Sequence, residues 1–310
     1  MAQQAFHGRM PIDSETQLIA LLGYPVKHSA SPQFQNAAIE ALGLNALYMA
    51  FCVPPAEFAR AFAGLSALGA LGANLTVPHK ETAFALCDER APEARVIEAV
   101  NTIRFRNGRS VGYNTDAYGV AAALQEEGVR FHKARVVVLG AGGAARAIVA
   151  QAILDGAAEV IVVNRTTARA EALLARLLDN CRKLEVHDQP HPYPRCKVIG
   201  YDDIRNALVE ADILINATSV GLNDGDPPLF DPMFIHAQTF VYDTIYNPPQ
   251  TRLLIDAKQS GCRRTANGLN MLLHQGARAF ELWFDRPAPI ELMRKNLMQP
   301  RTTLRLRKSP

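Results

Sequence analysis

The stretch VVVLGAGGAARA combines small residues at a spacing that suits phosphate binding. Gly140, Gly142 and Ala145 stand at G-x-G-x-x-A spacing, after an apolar run of strand length and before a helix-like segment. At such a strand-to-helix turn, small residues let backbone amides approach a pyrophosphate. A glycine triplet can also be only a tight turn, but its surroundings favour a dinucleotide site. The predicted members of that site are Gly140, Ala141, Gly142, Gly143, Ala144 and Ala145.

The end of the following strand indicates which dinucleotide is bound. A protein that binds NAD usually offers an Asp or Glu there to the ribose 2′-hydroxyl, whereas this chain reads Asn164, Arg165 and Thr166. Arg165, with Arg169 one helical turn later, can hold a 2′-phosphate because guanidinium groups bind phosphate oxygens in bidentate fashion. We therefore predict NADP as the cofactor. The alternative interpretation is an exposed arginine pair at a helix start.

Ser29 and Ser31 stand just before Pro32, a residue that suits the first turn of a helix. Their hydroxyls, together with the free amides of a helix start, would form a carboxylate-binding site. The alternative is that Ser31 is a plain N-cap, which would leave Ser29 without a role.

Lys80 follows Val77 and Pro78 near the predicted start of another helix, an electropositive position for an ammonium group. An enclosed lysine there can exchange protons with a substrate. A lysine taken alone is more often a solvated surface group.

The composition is that of a globular protein with a sizeable core. Hydrophobic residues make up 48% of the 310 positions and charged residues 20%. The net charge of +3 is too small to indicate a nucleic-acid partner. No segment has the length of an apolar membrane span and the start lacks a secretory signal, so we expect a cytoplasmic protein without a membrane partner. We expect a monomer or homodimer that acts on a small molecule.

The five cysteines are odd in number and widely spaced, so we expect free thiols. Cys181, His187, His191 and Cys196 could be drawn as a zinc set, but their spacing matches no common zinc module. We predict no metal site.

Strand-length apolar runs alternate with helix-like segments along the chain, which predicts an α/β fold. In the first half, Asn107-Gly108 marks a hairpin, and the sheet should therefore carry an antiparallel edge. Helices should begin near Pro32, Pro55 and Pro78. The predicted strands are 18–23, 46–53, 73–76, 100–106 and 110–113.

A second alternation follows a helix near 116–127 and predicts a second sheet. Its strands are expected at 135–139, 159–164, 197–200, 212–216 and 239–243, and closing helices at 251–260, 268–284 and 289–298. We predict two domains: an N-terminal α/β substrate domain with a mainly parallel sheet, and a Rossmann-like NADP-binding domain. The first spans residues 1–116 and is completed by helices in 250–310, and the second spans 117–249.

Eight segments resemble signatures of the shikimate dehydrogenase family, in the right order from about Leu18 to Trp283. They are GYPVKHSASP (23–32), GANLTVPHK (72–80), AVNT (99–102), GYNTD (112–116), NRTTAR (164–169), INATSVGL (215–222), YDTIYNPPQTRLL (242–254) and NGLNMLLHQGARAFELW (267–283). The resemblance implies a substrate domain, an NADP domain and an active site in the cleft between them. It also implies the reversible NADPH-dependent reduction of 3-dehydroshikimate to shikimate, on the route to chorismate and the aromatic amino acids.

The resemblance assigns roles to particular residues. The matching lysine, Lys80, is the acid/base candidate, and the matching aspartate, Asp116, binds a ring hydroxyl and holds Lys80. A helix N-cap or an acid of the first helical turn is the alternative role for Asp116. Ser29 and Ser31 match the serines that bind the substrate carboxylate. Further substrate contacts are expected at Thr76, Asn101, Tyr246 and Gln275, and further cofactor contacts at Thr218 and Gly268.

Two positions depart from the family pattern. Asn270 stands where the family usually has glycine, and Asn267 where an acid is common. The nearest alternative is a quinate/shikimate dehydrogenase that uses NAD or both cofactors, against which Arg165 and Arg169 argue. A non-catalytic NADP-binding sensor is the remote alternative, and such a protein would be expected to lack Lys80 or Asp116.

Overall fold

The computed structural model describes residues 12–184, 193–223 and 225–299. The basic tail after Gln299 and two members of the candidate zinc set, His187 and His191, lie outside these residues. Among the described helices, none has both the length and the apolar character that crossing a membrane requires.

The first sheet is built around an apolar strand whose residues Ile19 to Leu22 are almost completely buried. Within the described residues it contains β1 (Gln17–Gly23), β2 (Ala46–Cys52), β3 (Gly72–Leu75), β4 (Glu89–Arg90), β5 (Thr102–Arg106) and β6 (Arg109–Tyr113). The spatial order is β2-β1-β3-β5-β6-β4. The predicted antiparallel edge is wrong. The antiparallel strand is β5, which lies inside the sheet between β3 and β6, and the edge strand β4 pairs in parallel with β6.

The helices of this half follow the strands closely. They are α1 (Ser31–Ala41), α2 (Phe58–Ala67), α3 (Lys80–Leu86), α4 (Pro92–Ile97) and α5 (Thr115–Glu126). Pro32 lies in the first turn of α1 as predicted. Pro78 instead precedes α3, which begins at Lys80 with His79 as its N-cap.

The second sheet is parallel throughout the described residues and has the order β12-β11-β10-β7-β8-β9. Its four central strands are mostly apolar and buried because helices cover both faces. The strands of this sheet are β7 (Arg135–Leu139), β8 (Glu159–Val163), β9 (Arg195–Ile199), β10 (Ile213–Asn216), β11 (Phe240–Asp243) and β12 (Thr265–Asn267). The strand order reverses between β7 and β10, and ligands bind at such a switch point in open parallel sheets.

The remaining helices are α6 (Gly143–Leu154), α7 (Thr167–Lys183), α8 (Ile204–Val209), α9 (Arg252–Gln259), α10 (Leu269–Phe284) and α11 (Ile290–Leu297). The helix α10 returns to the first half, where Phe280 and Trp283 share a buried cluster with Phe34 and Tyr48. It also packs along α5.

The predicted assignment of the helices in 250–310 to the first domain is corrected for α9. Leu253, Leu254 and Ala257 of α9 share a buried core with Val137 and with other strand residues of the second sheet. The strand β12 pairs in parallel with β11. These two elements complete the second sheet, whereas α10 and α11, the other described elements after residue 249, pack with the first half.

Candidate active site

A cleft of about 430 Å³ lies between the two sheets and brings the predicted substrate residues together. They come from loops at the strand ends, α3, α5 and α10, which are far apart in the sequence. Ala144 of the glycine-rich loop and Gly268 also line this cleft. The eight substrate residues that line it are Ser29, Ser31, Thr76, Lys80, Asn101, Asp116, Tyr246 and Gln275.

Lys80 and Asp116 form an ion pair in this cleft. Lys80 is the first residue of α3, and its Nζ lies 2.5 Å from Oδ2 of Asp116 in the first turn of α5. The two side chains are 21% and 10% exposed, so most solvent is excluded from the pair. The N-cap of α5 is Asn114, whose side chain accepts from the Asp116 amide at 3.2 Å. Asp116 is therefore not the N-cap but an acid in the first turn, and its carboxylate is available to Lys80.

Asn101 holds the other oxygen of this carboxylate. Its Nδ2 donates to Asp116 Oδ1 at 2.8 Å and to Thr115 Oγ1 at 3.0 Å. Its Oδ1 accepts from the Thr115 amide at 2.8 Å. Gln275 Oε1 lies 3.4 Å from Asn101 Nδ2. The Asn101 amide is thus fully oriented by neighbouring groups.

Ser29 and Ser31 lie side by side at the start of α1. Ser29 Oγ donates to Ser31 Oγ at 3.2 Å and accepts from the Ser31 amide at 3.3 Å. The N-cap of α1 is Ala30, and Ser31 is the first helical residue. The N-cap alternative for Ser31 is therefore wrong. Two adjacent hydroxyls at a helix start offer donors to an anion.

The glycine-rich loop fits a dinucleotide pyrophosphate. Gly140 has a φ of +104°, and a Cβ there would lie 2.9 Å from Thr218 Cγ2. Gly142 is the N-cap of α6 and has no side chain with which to cap it. A Cβ at Gly142 would meet open space, so the start of α6 is accessible to a ligand. Thr218 is fixed beside this loop because its Oγ1 donates to Asn216 Oδ1 at 2.7 Å.

The predicted 2′-phosphate residues stand at the end of β8. Arg165 and Arg169 are exposed there, at and just before the start of α7. Asn164 Nδ2 donates to the Thr166 carbonyl at 2.8 Å, which closes this turn. Arg165 also interacts with Tyr201, whose pKa is raised by burial and lowered in part by the arginine charge.

Gly268 permits the close approach of two cleft walls. A Cβ at this position would lie 2.0 Å from the Thr244 carbonyl oxygen. Tyr246 lines the cleft and also packs against the buried cluster of the first half, so it serves both the predicted site and the core.

Two residues depart from the family pattern. The Asn270 side chain points away from the cleft, and the Asn267 side chain substitutes for the usual acid. Asn270 Oδ1 accepts from Arg294 Nη1 at 2.6 Å, and Arg294 Nη2 contacts Glu126 Oε1 at 2.6 Å. Asn270 is thus tied to α11 and α5. Asn267 Oδ1 accepts from the Leu269 amide at 3.0 Å at the start of α10, as an acid there would.

The sequence reasoning missed several polar residues of the site. Asn74 lines the cleft from the buried strand β3, and Asn216 donates to Asp243 Oδ1 at 3.1 Å at the ends of β10 and β11. Burial raises the pKa of Asp243. The signal that could have revealed them is a polar residue at a position where a fully buried strand calls for an apolar one.

The structure describes only part of the candidate zinc set. Cys181 is buried in the apolar core and Cys196 packs against that core. The described residues contain no group of three or more His, Cys, Asp or Glu side chains placed to hold a metal ion. All five cysteines are free thiols.

Comparison with known proteins identifies the family that the chain resembles. The chain matches family models described as the shikimate dehydrogenase substrate binding domain (residues 21–103), shikimate/quinate 5-dehydrogenase (122–222) and the shikimate 5′-dehydrogenase C-terminal domain (268–298). It is 45% identical over 282 residues to shikimate dehydrogenase (NADP(+)) of Symbiobacterium thermophilum, covering 90% of this chain and 92% of the relative.

Solved structures extend the similarity to the fold. Shikimate dehydrogenase from Aquifex aeolicus superposes with a TM-score of 0.83 at 37% identity, over 93% of this chain and 100% of that one. Shikimate 5-dehydrogenase from Thermus thermophilus, in complex with NADP(H) and shikimate, gives a TM-score of 0.77 at 35% identity, over 91% and 98%. The chain belongs to the shikimate dehydrogenase family.

Proposed function

We propose that this protein is an NADP-dependent shikimate dehydrogenase, which reversibly reduces 3-dehydroshikimate to shikimate in chorismate and aromatic amino acid biosynthesis. The observation that carries the proposal is the enclosed Lys80–Asp116 pair, which shares one cleft with the six other predicted substrate residues and with Ala144 of the glycine-rich loop. The relatives named above carry this activity in their names.

The cleft provides complementary groups for a polyhydroxylated ring acid. Ser29 and Ser31 donate to the carboxylate at the start of α1. Thr76, Asn101 and Gln275 bind ring hydroxyls with neutral side chains that donate or accept as needed, and the Asp116 carboxylate accepts from a ring hydroxyl. Such partners matter because each unpaired polar group in a closed site costs about 1–3 kcal/mol.

The switch point of the second sheet would hold the cofactor. The segment from Gly140 to Ala145, which includes the start of α6, would bind the pyrophosphate, and Thr218 and Gly268 would flank the path to the cleft. Asn164, Arg165, Thr166 and Arg169 bind the 2′-phosphorylated ribose. A bound NADP⁺ or NADPH supplies the hydride acceptor or donor.

Lys80 performs the proton transfer. During reduction, its ammonium group gives a proton to the oxygen of the ketone as that oxygen gains negative charge. During oxidation, the neutral amine takes the hydroxyl proton. Asp116 holds the Lys80 ammonium at 2.5 Å and accepts from an adjacent ring hydroxyl. The substrate and Lys80 are thus bound by the same carboxylate.

The domain division follows from this arrangement. We assign residues 1–116 with α10 and α11 to substrate binding, and the second sheet, including α9 and β12, to NADP. We further propose that the protein acts in the cytoplasm as a monomer or homodimer.

The experiment that tests the function is product identification. The purified chain is incubated with shikimate and NADP⁺, and the product is analysed by mass spectrometry against authentic 3-dehydroshikimate. Formation of equal amounts of 3-dehydroshikimate and NADPH supports the proposal. Cofactor binding without any product would show that the chain is a non-catalytic NADP-binding protein.

A further inference from the structure

A chain of buried side-chain hydrogen bonds runs beneath the cleft from Tyr48 to Asp116. The Tyr48 hydroxyl donates to Asn74 Oδ1 at 2.8 Å, and Asn74 Nδ2 donates to Thr102 Oγ1 at 2.9 Å. Thr102 Oγ1 donates to Asn101 Oδ1 at 3.0 Å, and Asn101 Nδ2 donates to Asp116 Oδ1 at 2.8 Å. All five residues are buried. The strands β2, β3 and β5 are thereby connected to the acid/base pair on α3 and α5.

Two groups that only accept set the directions of these hydrogen bonds: the Asp116 carboxylate, and the Asn101 backbone carbonyl, to which Asn74 Nδ2 donates at 3.2 Å. A carboxylate only accepts, so Asn101 must turn its NH₂ group toward Asp116 and its oxygen toward Thr102. Thr102 therefore donates to Asn101 and accepts from Asn74. Asn74 must then present its oxygen to Tyr48, which has to donate. Burial raises the pKa of Tyr48, so its hydroxyl keeps the proton that this arrangement requires.

Tyr48 lies behind the wall of the cleft. Asn74 and Ser31 line the cleft, whereas the Tyr48 ring packs toward Trp283 at a centroid distance of 6.0 Å. The Tyr48 hydroxyl also interacts with the Ser31 side chain. Tyr48 is thus placed between the two ends of the substrate site, without lining it.

We propose that Tyr48 is a positioning residue for the Lys80–Asp116 pair, acting through Asn74, Thr102 and Asn101. The inference rests on the proposed function, because the rate it alters is that of shikimate oxidation. Its physical basis is that a fully satisfied buried network holds its members rigidly, whereas a network that lacks one donor leaves a buried acceptor unpaired and holds its members less firmly.

Loss of the Tyr48 hydroxyl would leave Asn74 Oδ1 without its donor. Asn74 Nδ2 still donates to Thr102 Oγ1 at 2.9 Å and to the Asn101 backbone carbonyl at 3.2 Å, so the Asn74 amide keeps its orientation but is held from one side only. Asn101 Oδ1 still accepts from the Thr115 amide at 2.8 Å. Asn101 and Asp116 are therefore loosened and not released, which predicts a moderate effect.

The test compares Tyr48→Phe with wild type under shikimate oxidation by NADP⁺. We expect kcat to fall about tenfold and KM for shikimate to change less than kcat, because the network acts on the geometry of the acid/base pair. Tyr242→Phe is the matched control, since Tyr242 is equally buried but outside the network. This control should keep the wild-type kcat.

A second pair of variants changes Thr102, the middle residue of this hydrogen-bond chain. Thr102→Val removes the hydroxyl at nearly constant volume and should lower kcat about as much as Tyr48→Phe, whereas Thr102→Ser should restore most of it. The double variant Tyr48→Phe/Thr102→Val should be no slower than the slower single variant. Thr102→Val and Thr102→Ser decide the question if Tyr48→Phe does not fold.

Two results would overturn the inference while leaving the proposed function intact. One is a folded Tyr48→Phe enzyme with unchanged kcat, whatever its melting temperature. The other is a double variant whose loss equals the product of the two single losses, because independent action excludes a shared chain. A wild-type chain that does not oxidise shikimate would instead overturn the proposed function together with this inference.

Discussion

Lys80 Nζ lies 2.5 Å from Asp116 Oδ2, so the first residue of α3 is joined to the first turn of α5. Asn101 holds the other carboxylate oxygen at 2.8 Å. Asp116 is thus held at both carboxylate oxygens. It therefore keeps one orientation and holds the Lys80 side chain in the cleft. This relationship underlies the first prediction.

Replacing Lys80 with alanine should lower kcat by at least about a hundredfold, with KM for shikimate little changed, because proton transfer occurs in the transition state. Steady-state kinetics in the oxidation direction measures both constants. Lys295→Ala removes an exposed lysine of α11 and serves as the control. A near-normal kcat in Lys80→Ala would exclude the acid/base role.

Replacing Arg165 with aspartate should raise KM for NADP⁺ about thirtyfold or more, since a charge-assisted contact to phosphate is replaced by repulsion. KM for NAD⁺ should rise much less than KM for NADP⁺, or it should fall. Arg182→Asp makes the same charge change at an exposed site late in α7 and controls for the overall charge. Unchanged NADP⁺ affinity in Arg165→Asp would show that the 2′-phosphate is bound elsewhere.

Replacing Asn270 with glycine, the residue usual in the family, should not improve catalysis. The Asn270 side chain is bound to Arg294 at 2.6 Å and not to the cleft. We expect kcat to change by less than about twofold. The free energy of unfolding should fall by about 1 kcal/mol, from lower helix propensity and the lost hydrogen bond. Urea denaturation measures the second effect. A marked gain in kcat would place Asn270 in the nicotinamide site.

The stability of the protein should decrease in mild acid through His79, the N-cap of α3. Its ring stacks on Phe58 at 4.4 Å, and its Nε2 lies 2.9 Å from the Val53 carbonyl oxygen. Burial lowers the pKa of His79, an effect that the hydrogen bond to Val53 partly opposes. The unfolded chain therefore binds the proton more readily than the folded one. Stability is lost as pH falls below the unfolded histidine pKa of about 6.5.

His79→Gln keeps a donor for Val53 but does not titrate. Between neutral pH and mild acid, this variant should lose less unfolding free energy than wild type, as measured by urea denaturation at each pH. Equal losses in the two proteins would assign the acid sensitivity to other groups.

Most of the fold could be predicted because apolar runs of strand length alternate with amphipathic segments. The strands β4 and β12 were missed because they have only two and three residues and no alternating pattern. The position of β5 could not be derived, since a hairpin establishes which strands pair but not where the pair lies in the sheet. The position of α9 could not be predicted either, because it depends on which hydrophobic core Leu253 and Leu254 pack into.

The eight residues predicted for the substrate site do meet in one cleft, because they stand at strand ends and helix starts that share one edge of the fold. Their hydrogen-bond partners were not predictable. Asn74 occupies a strand that reads as apolar, and its role depends on Tyr48 of β2 and Thr102 of β5, which only the folded sheet brings beside it.

The most direct test of the account is the initial rate of nicotinamide reduction with shikimate and with quinate, each offered with NADP⁺ and with NAD⁺. The account predicts rapid reduction with shikimate and NADP⁺, and far slower rates for the other three combinations. Comparable rates with quinate or NAD⁺ would contradict it and identify a quinate/shikimate dehydrogenase. No reduction in any combination would contradict the assignment of the cleft as a catalytic site.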